Sequence, residues 1–167
     1  HPQTGVMWQE PEFKTFTKAV IPVHLNGRQA AMDVLYLPNC IEDSCQAFPK
    51  PPEGIMACYS MSTAKLLPTG QGGFVATRDE GLYSELRALR THDVEDAMVP
   101  QVLTWRRFGY NFRYTDIQAA IGLAQLETLD ERIERLREIR RQYEGGLPGW
   151  LELLPCDGVP LYTEVLL

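Results

Sequence analysis

Short apolar runs closed by turn residues, followed by a long stretch of helical spacing, restrict the folds open to this chain more than any other feature. "KAVIPVHL" (Lys18 to Leu25) is rich in β-branched residues and stops at "NGR". "PNCIEDSCQAF" (Pro38 to Phe48) carries a second run into the polar pair Glu42 and Asp43, "IMACYSMS" (Ile55 to Ser62) a third, and "GGFVATRDE" (Gly72 to Glu80) a fourth that hands over to a helix. Side chains alternate across a strand, so runs that stay apolar at consecutive positions call for cover on both faces. Leu82, Leu86 and Leu89 recur at spacings of four and three behind a cap at Thr77 or Asp79, which predicts a helix ending near His92. Strands separated by helices and loops predict an α/β sheet covered by helices. His24, at a strand end, reads as a hydrogen-bonded residue rather than a ligand.

The segment from His92 to Tyr114 has no clean period and carries aromatics, so it reads as a long ordered loop, often a functional feature in a compact domain. "TDIQ" (Thr115 to Gln118) is a capping box. Behind it, Ile117, Ile121, Ala124, Leu129, Ile133, Leu136 and Tyr143 keep an apolar stripe, with Glu131 and Arg135 placed to pair across one turn. One long amphipathic helix is predicted, stopping at "GGLPG" (Gly145 to Gly149). "VPLYTEVLL" (Val159 to Leu167) then starts a strand with nothing after it to pair with, the expectation for a truncated domain.

With 167 residues, the chain suffices for one compact domain or a piece of a larger one. It is 44% hydrophobic and 23% charged, and no window approaches the unbroken apolar run of a bilayer span, so no membrane partner is expected. The net charge is −6, and the arginines between Arg132 and Arg141 are interleaved with acidic residues, which argues against nucleic acid. The beginning of the sequence lacks the layout of a secretory signal, making a cytoplasmic setting the default. Cys40, Cys45, Cys58 and Cys156 form no CxxC pair and no Cys/His cluster of zinc-like spacing; reduced, mostly buried thiols and no metal site are expected.

Ligands of open α/β sheets sit at strand ends. Three ends here carry polar groups: Asp43 with Gln46, then Ser60, then Lys65 shortly beyond the third run. Pyridoxal phosphate chemistry fits these residue types. A lysine forms a Schiff base with the cofactor aldehyde, a carboxylate keeps the pyridine nitrogen protonated, and a hydroxyl grips the phosphate. From spacing alone two plainer roles stay open, a solvated loop lysine and an acidic strand-end cap. "GQGG" (Gly70 to Gly73) has neither the Walker ending nor the dinucleotide spacing, and no GxSxG elbow supports a hydrolase triad of Ser60, His24 and Asp43.

Five stretches, in order, resemble the DegT/DnrJ/EryC1/StrS family of fold type I, pyridoxal phosphate-dependent sugar aminotransferases: "TKAVIPVHLNGRQAAMD", "IEDSCQAF", "YSMSTAKLLPTGQGGF", "VATRDEGLYSELRALRTHD" and "GYNFRYTDIQAAIGLAQLETLDERIERLREIRRQY". The resemblance covers almost the whole chain. It implies part of the fold type I large domain over residues 1–144, ending in a long amphipathic helix, and over 145–167 a linker and the start of a small C-terminal domain. By position, Lys65 resembles the Schiff-base lysine, Asp43 the aspartate beneath the pyridine nitrogen, Gln46 the glutamine on the phenolic-oxygen side, and Ser60 the phosphate-binding serine. Asn111 resembles an asparagine lent to the phosphate by the neighbouring subunit of a homodimer. The implied reaction moves an amino group from glutamate or glutamine to a keto sugar, often nucleotide-linked, or to a cyclitol; the "KLL" and "TGxGG" spacing is similar to the branch acting on cyclitols and some keto sugars.

This sequence also departs from the family pattern. Met61 stands where a phenylalanine is usual, Gln71 where an acidic residue is, and the family's N-terminal part, with its share of the phosphate site and a ring stacked on the pyridine, is expected to be absent. A non-catalytic remnant acting only as a folded or oligomerising domain is therefore the second function class.

Overall fold

The computed structural model describes residues 17–30, 39–93 and 108–166. Its central element is a three-stranded sheet in the order β1 (Ile41–Asp43), β2 (Met56–Ser60), β3 (Gly73–Thr77). β1 and β2 are parallel, with Asp43 opposite Cys58, whereas β2 and β3 are antiparallel, with Ser60 opposite Gly73. The first apolar run forms only isolated parallel bridges to β1, Val20 to Cys40 and Val23 to Asp43, and so extends the sheet as an irregular edge. Its Pro22 has no N–H to give to a ladder, which suits an edge position.

Register divides the sheet by face. Glu42, Ala57, Tyr59 and Phe74 point to one side, Asp43, Cys58, Ser60 and Val75 to the other. On the first side Tyr59 stacks on Phe74 at 4.6 Å, and Phe48 meets both rings edge-on. His24 and Glu42 are fully buried there and joined at 2.7 Å. The second histidine nitrogen, Nδ1, accepts the Ala30 N–H at 3.0 Å, so His24 is a paired core residue, as its sequence position implied.

α1 (Glu80–Arg90) begins where expected, with Asp79 as N-cap accepting the Leu82 N–H at 2.8 Å. The capping box forms at Thr115, with both reciprocal bonds in place. The single long helix does not: the stretch is divided into α2 (Asp116–Glu127) and α3 (Leu129–Gly146) at Thr128, whose φ of −109° and ψ of 12° lie outside the helical well. The apolar stripe is therefore not one face. Ile117 is 75% exposed, whereas Ile133 is buried in a cluster with Leu66 and Val159, flanked by Phe48, Leu129, Leu136 and Leu161. Arg132 braces the break, donating to the Leu66 carbonyl at 2.9 Å and to Thr128 Oγ1 at 3.3 Å. Arg135 pairs with Glu138 at 2.7 Å rather than with Glu131.

α3 ends in the Gly-Gly sequence, as predicted. Beyond it, β4 (Glu152–Leu153) pairs antiparallel with β5 (Val165–Leu166), so the terminal strand does have a partner, one that precedes it in the chain. A two-residue strand ahead of a proline gives too little pattern to be seen in sequence. All four cysteines are free, with Cys40 buried and the others half-buried. No described helix is long and apolar enough to cross a membrane, and the described residues contain no group of His, Cys, Asp and Glu side chains able to hold a metal ion.

Candidate functional site

Parallel pairing brings Asp43 and Ser60, the last residues of β1 and β2, to the same end of the sheet and the same face. The chain leaves β2 through the connection 61–72, which is tied by Met61 N–H to the Gly72 carbonyl and Thr69 N–H to the Met61 carbonyl, both at 2.9 Å. Gly72 is required: φ is +118°, and a Cβ there would lie 2.6 Å from the Tyr114 ring. Within this connection Ser60 Oγ accepts the Ser62 N–H at 3.3 Å, and Lys65 N–H closes a turn onto the Ser62 carbonyl at 3.0 Å. Lys65 is thus held by backbone bonds just past the end of β2.

Cys45 reports the electrostatics of this edge. Its thiol is pushed up to about 11, first by burial and then by the hydrogen bond and charge of Asp43, with the Lys65 cation opposing. Burial and Asp43 also raise the Cys58 thiol. Asp43 thus acts on both thiols and Lys65 on Cys45, whose N–H donates to Asp43 Oδ1 at 3.0 Å. Neither cysteine was singled out from the sequence; the available signal was position, two residues after Asp43 and two before Ser60. Gln46 lies one turn past Asp43, its side-chain oxygen accepting the Asn26 N–H at 3.1 Å.

Asn111 is elsewhere. It bridges to Thr91 at the end of α1, is exposed, and accepts from Arg113 Nε at 3.2 Å. Among the described residues no hydrogen bond joins it to Asp43, Ser60 or Lys65. Residues 94–107, which include most of the expected loop and Trp105, lie outside the described residues.

The donor set fits pyridoxal phosphate. Lys65 is half-buried, and among the described residues its amine has no hydrogen bond or ion pair, only the field it shares with Cys45. Gln46 Nε2 is likewise without a hydrogen-bond partner, and the Ser60 hydroxyl, an acceptor toward Ser62, still has its proton to give. A half-buried amine, a carboxylate at the neighbouring strand end, a free amide donor and a hydroxyl form a set that a bound aldehyde, ring and phosphate would satisfy.

GDP-perosamine synthase of Caulobacter vibrioides is 35% identical over 142 residues, 77% of this chain and 37% of that protein. EpsN of Bacillus subtilis, 32% identical over 146 residues (80% and 37%), carries pyridoxal phosphate dependence and aminotransferase in its name. The sugar aminotransferase CalS13 from Micromonospora echinospora superposes with a TM-score of 0.76 at 29% identity, covering 90% of this chain and 47% of that one. The chain spans less than half the length of these relatives. The fold is that of part of a fold type I aminotransferase. Residues 10–158 match the DegT/DnrJ/EryC1/StrS aminotransferase family, and the chain belongs to it.

Proposed function

We propose that the protein of which this chain forms part is a pyridoxal phosphate-dependent aminotransferase acting on a keto sugar. The observation that carries this reading is the unpaired, half-buried amine of Lys65 at the same sheet edge as Asp43 and Ser60. The cofactor, when bound, supplies an aldehyde to condense with an amine and an electron-poor ring to take up the charge left when a proton is removed. The chain's own residues do the rest. Lys65 Nζ is the attaching amine and the base that moves a proton. Asp43 holds a proton on the ring nitrogen by its charge. Ser60 Oγ–H donates to the phosphate, and Gln46 Nε2 donates to the ring oxygen.

Asn111 bridges to Thr91 and bonds to Arg113 rather than to this set, which supports its being lent across a homodimer. Phe108 and Phe112, 97% and 71% exposed, and Ile117 on α2 make an apolar surface around it that a second copy would cover. The relatives' names favour a nucleotide-linked keto sugar as acceptor, with a cyclitol as the other candidate and glutamate or glutamine as donor. Four free thiols suit a reducing, cytoplasmic setting. The large-domain part is proposed to end at about residue 144, where α3 runs out.

Visible absorbance after addition of pyridoxal phosphate tests the assignment. A band present in the wild type and absent from Lys65→Ala is expected. An equal band in both overturns the role of Lys65, and no band in the whole protein favours a non-catalytic remnant.

A further inference from the structure

The turn at Asn26 and Gly27 is clamped between two parts of the chain that are distant in sequence. On one side, Asn26 N–H donates to Gln46 Oε1 at 3.1 Å and Gly27 N–H to the Gln46 carbonyl at 2.8 Å. On the other, the Asn26 side chain, 1% exposed, donates through Nδ2 to the Tyr162 carbonyl at 2.9 Å and to Glu164 Oε2 at 2.7 Å. Its Oδ1 accepts the N–H groups of Leu161 and Tyr162, both at 2.8 Å. The Cys156 thiol adds a bond to the Asn26 carbonyl at 3.4 Å. Both donors and both lone pairs of the side-chain amide are used.

The clamp has no slack. Asn26 and Gly27 have φ values of 52° and 77°, and a Cβ on Gly27 would lie 2.4 Å from the Val159 carbonyl oxygen. Gly158 approaches as closely from the other side, where an added Cβ would lie 2.4 Å from the Gly27 carbonyl oxygen.

This geometry decides what Gln46 can offer a ligand. With Oε1 committed to an N–H, the amide presents Nε2, a donor that has no partner among the described residues. We propose that Asn26 is a positioning residue: it fixes the Gln46 amide as a donor toward an oxygen of the bound ring, and couples binding there to the order of residues 156–164. The identity of the ligand rests on the function proposed above; the coupling itself does not. Linkage is reciprocal, so whatever a ligand on Gln46 contributes to the turn it also contributes to the segment clamped behind it.

Amide exchange of the whole protein of which this chain forms part, with and without pyridoxal phosphate, tests this in wild type, Asn26→Gly and Gln46→Ala. Glycine keeps the left-handed turn and its N–H to Gln46 while removing the side-chain bonds. Asn26→Gly is expected to speed exchange at Leu161 and Tyr162 by about tenfold, leave Ala57 and Tyr59 in β2 unchanged, and weaken the cofactor by about threefold or more.

Gln46→Ala without ligand is the decisive arm, because a merely structural clamp would not carry that change to the far side. Faster exchange at Leu161 and Tyr162 supports the coupling. Faster exchange at Asn26 and Gly27 alone overturns it. Should Asn26→Gly lose the protection of β2 as well, Gln46→Ala carries the test. A wild type that takes up cofactor while residues 161 and 162 ignore Gln46 overturns this inference and leaves the proposed function standing. A wild type that shows the coupling and takes up no cofactor supports the coupling and overturns that function.

Discussion

Glu42 and Asp43 are neighbouring carboxylates on one three-residue strand, and the fold treats them in opposite ways. Glu42 points to the closed face, where Oε2 meets His24 at 2.7 Å and Lys50 at 3.0 Å, and Oε1 accepts the N–H groups of Glu53 and Gly54, both at 2.6 Å. One side chain thereby fastens the edge segment, β1 and the approach to β2. Asp43 points to the other face, accepting the Cys45 N–H, and the Lys65 amine and Gln46 Nε2 just beyond the strand ends have no protein partner among the described residues. Saturated polar clusters hold structure, and unsatisfied ones ask for a ligand. One strand can do both because alternation sends adjacent residues to opposite faces.

The largest effect separating the two faces is expected on the closed side. Glu42→Gln should destabilise the fold by about 3–5 kcal/mol, since it takes a buried carboxylate away from the His24 Nε2–H, the N–H groups of Glu53 and Gly54, and the Lys50 ammonium, whose remaining ion pair is with Glu53 at 3.2 Å. Denaturant unfolding measures this, and a loss under about 1 kcal/mol would show that the cluster is not what holds the three segments together.

Next comes Gly72→Ala, which forces a Cβ into the Tyr114 ring at a φ of +118° and should cost about 1–3 kcal/mol, while loosening the connection that bears Lys65. Thermal melting together with cofactor titration reads both consequences. Unchanged values would mean that the connection tolerates the shift.

Acid then sharpens the contrast. Burial pushes Glu42 upward, but hydrogen bonds from Gly54, His24, Lys50 and Glu53 outweigh it and hold the carboxyl below its ordinary value. A group depressed in the folded state contributes in full above its unfolded pKa, about 4.3, and loses that contribution as pH falls through the folded one. Stability should therefore drop below about pH 4.3, and the drop should be shallower in Glu42→Gln. Parallel acid limbs for the two proteins would count against the depressed carboxyl.

The smallest effect on stability is expected at the open face. Lys65→Ala removes no paired group and should stay within about 0.5 kcal/mol of wild type, while abolishing cofactor absorbance. A large loss of stability would make Lys65 a structural lysine.

Much of the fold was legible in the sequence, and the parts that were not share a cause. The run "IEDSC", the capping box at Thr115 and the cap at Asp79 depend on bonds within three or four residues, so local pattern decided them. The break at Thr128 was hidden because the residues on either side carry helical spacing; only packing shows that Ile117 faces out and Ile133 in. The β4 and β5 pair and the Asn26 clamp join residues whose sequence separation no local pattern spans.

The sequence by itself determined where the caps, turns and short strands lie, because alternation and turn chemistry act over a few residues, and its resemblance to the DegT/DnrJ/EryC1/StrS aminotransferases gave the family. Only the tertiary structure decided which polar groups are spent and which are left over. Glu42 and Asp43 are chemically alike, and their difference arises from His24, Lys50 and Gly54 arriving on one side and Lys65 on the other. Pairing of that kind is a property of three dimensions, since a hydrogen bond depends on distance and angle and is indifferent to how much chain lies between its ends.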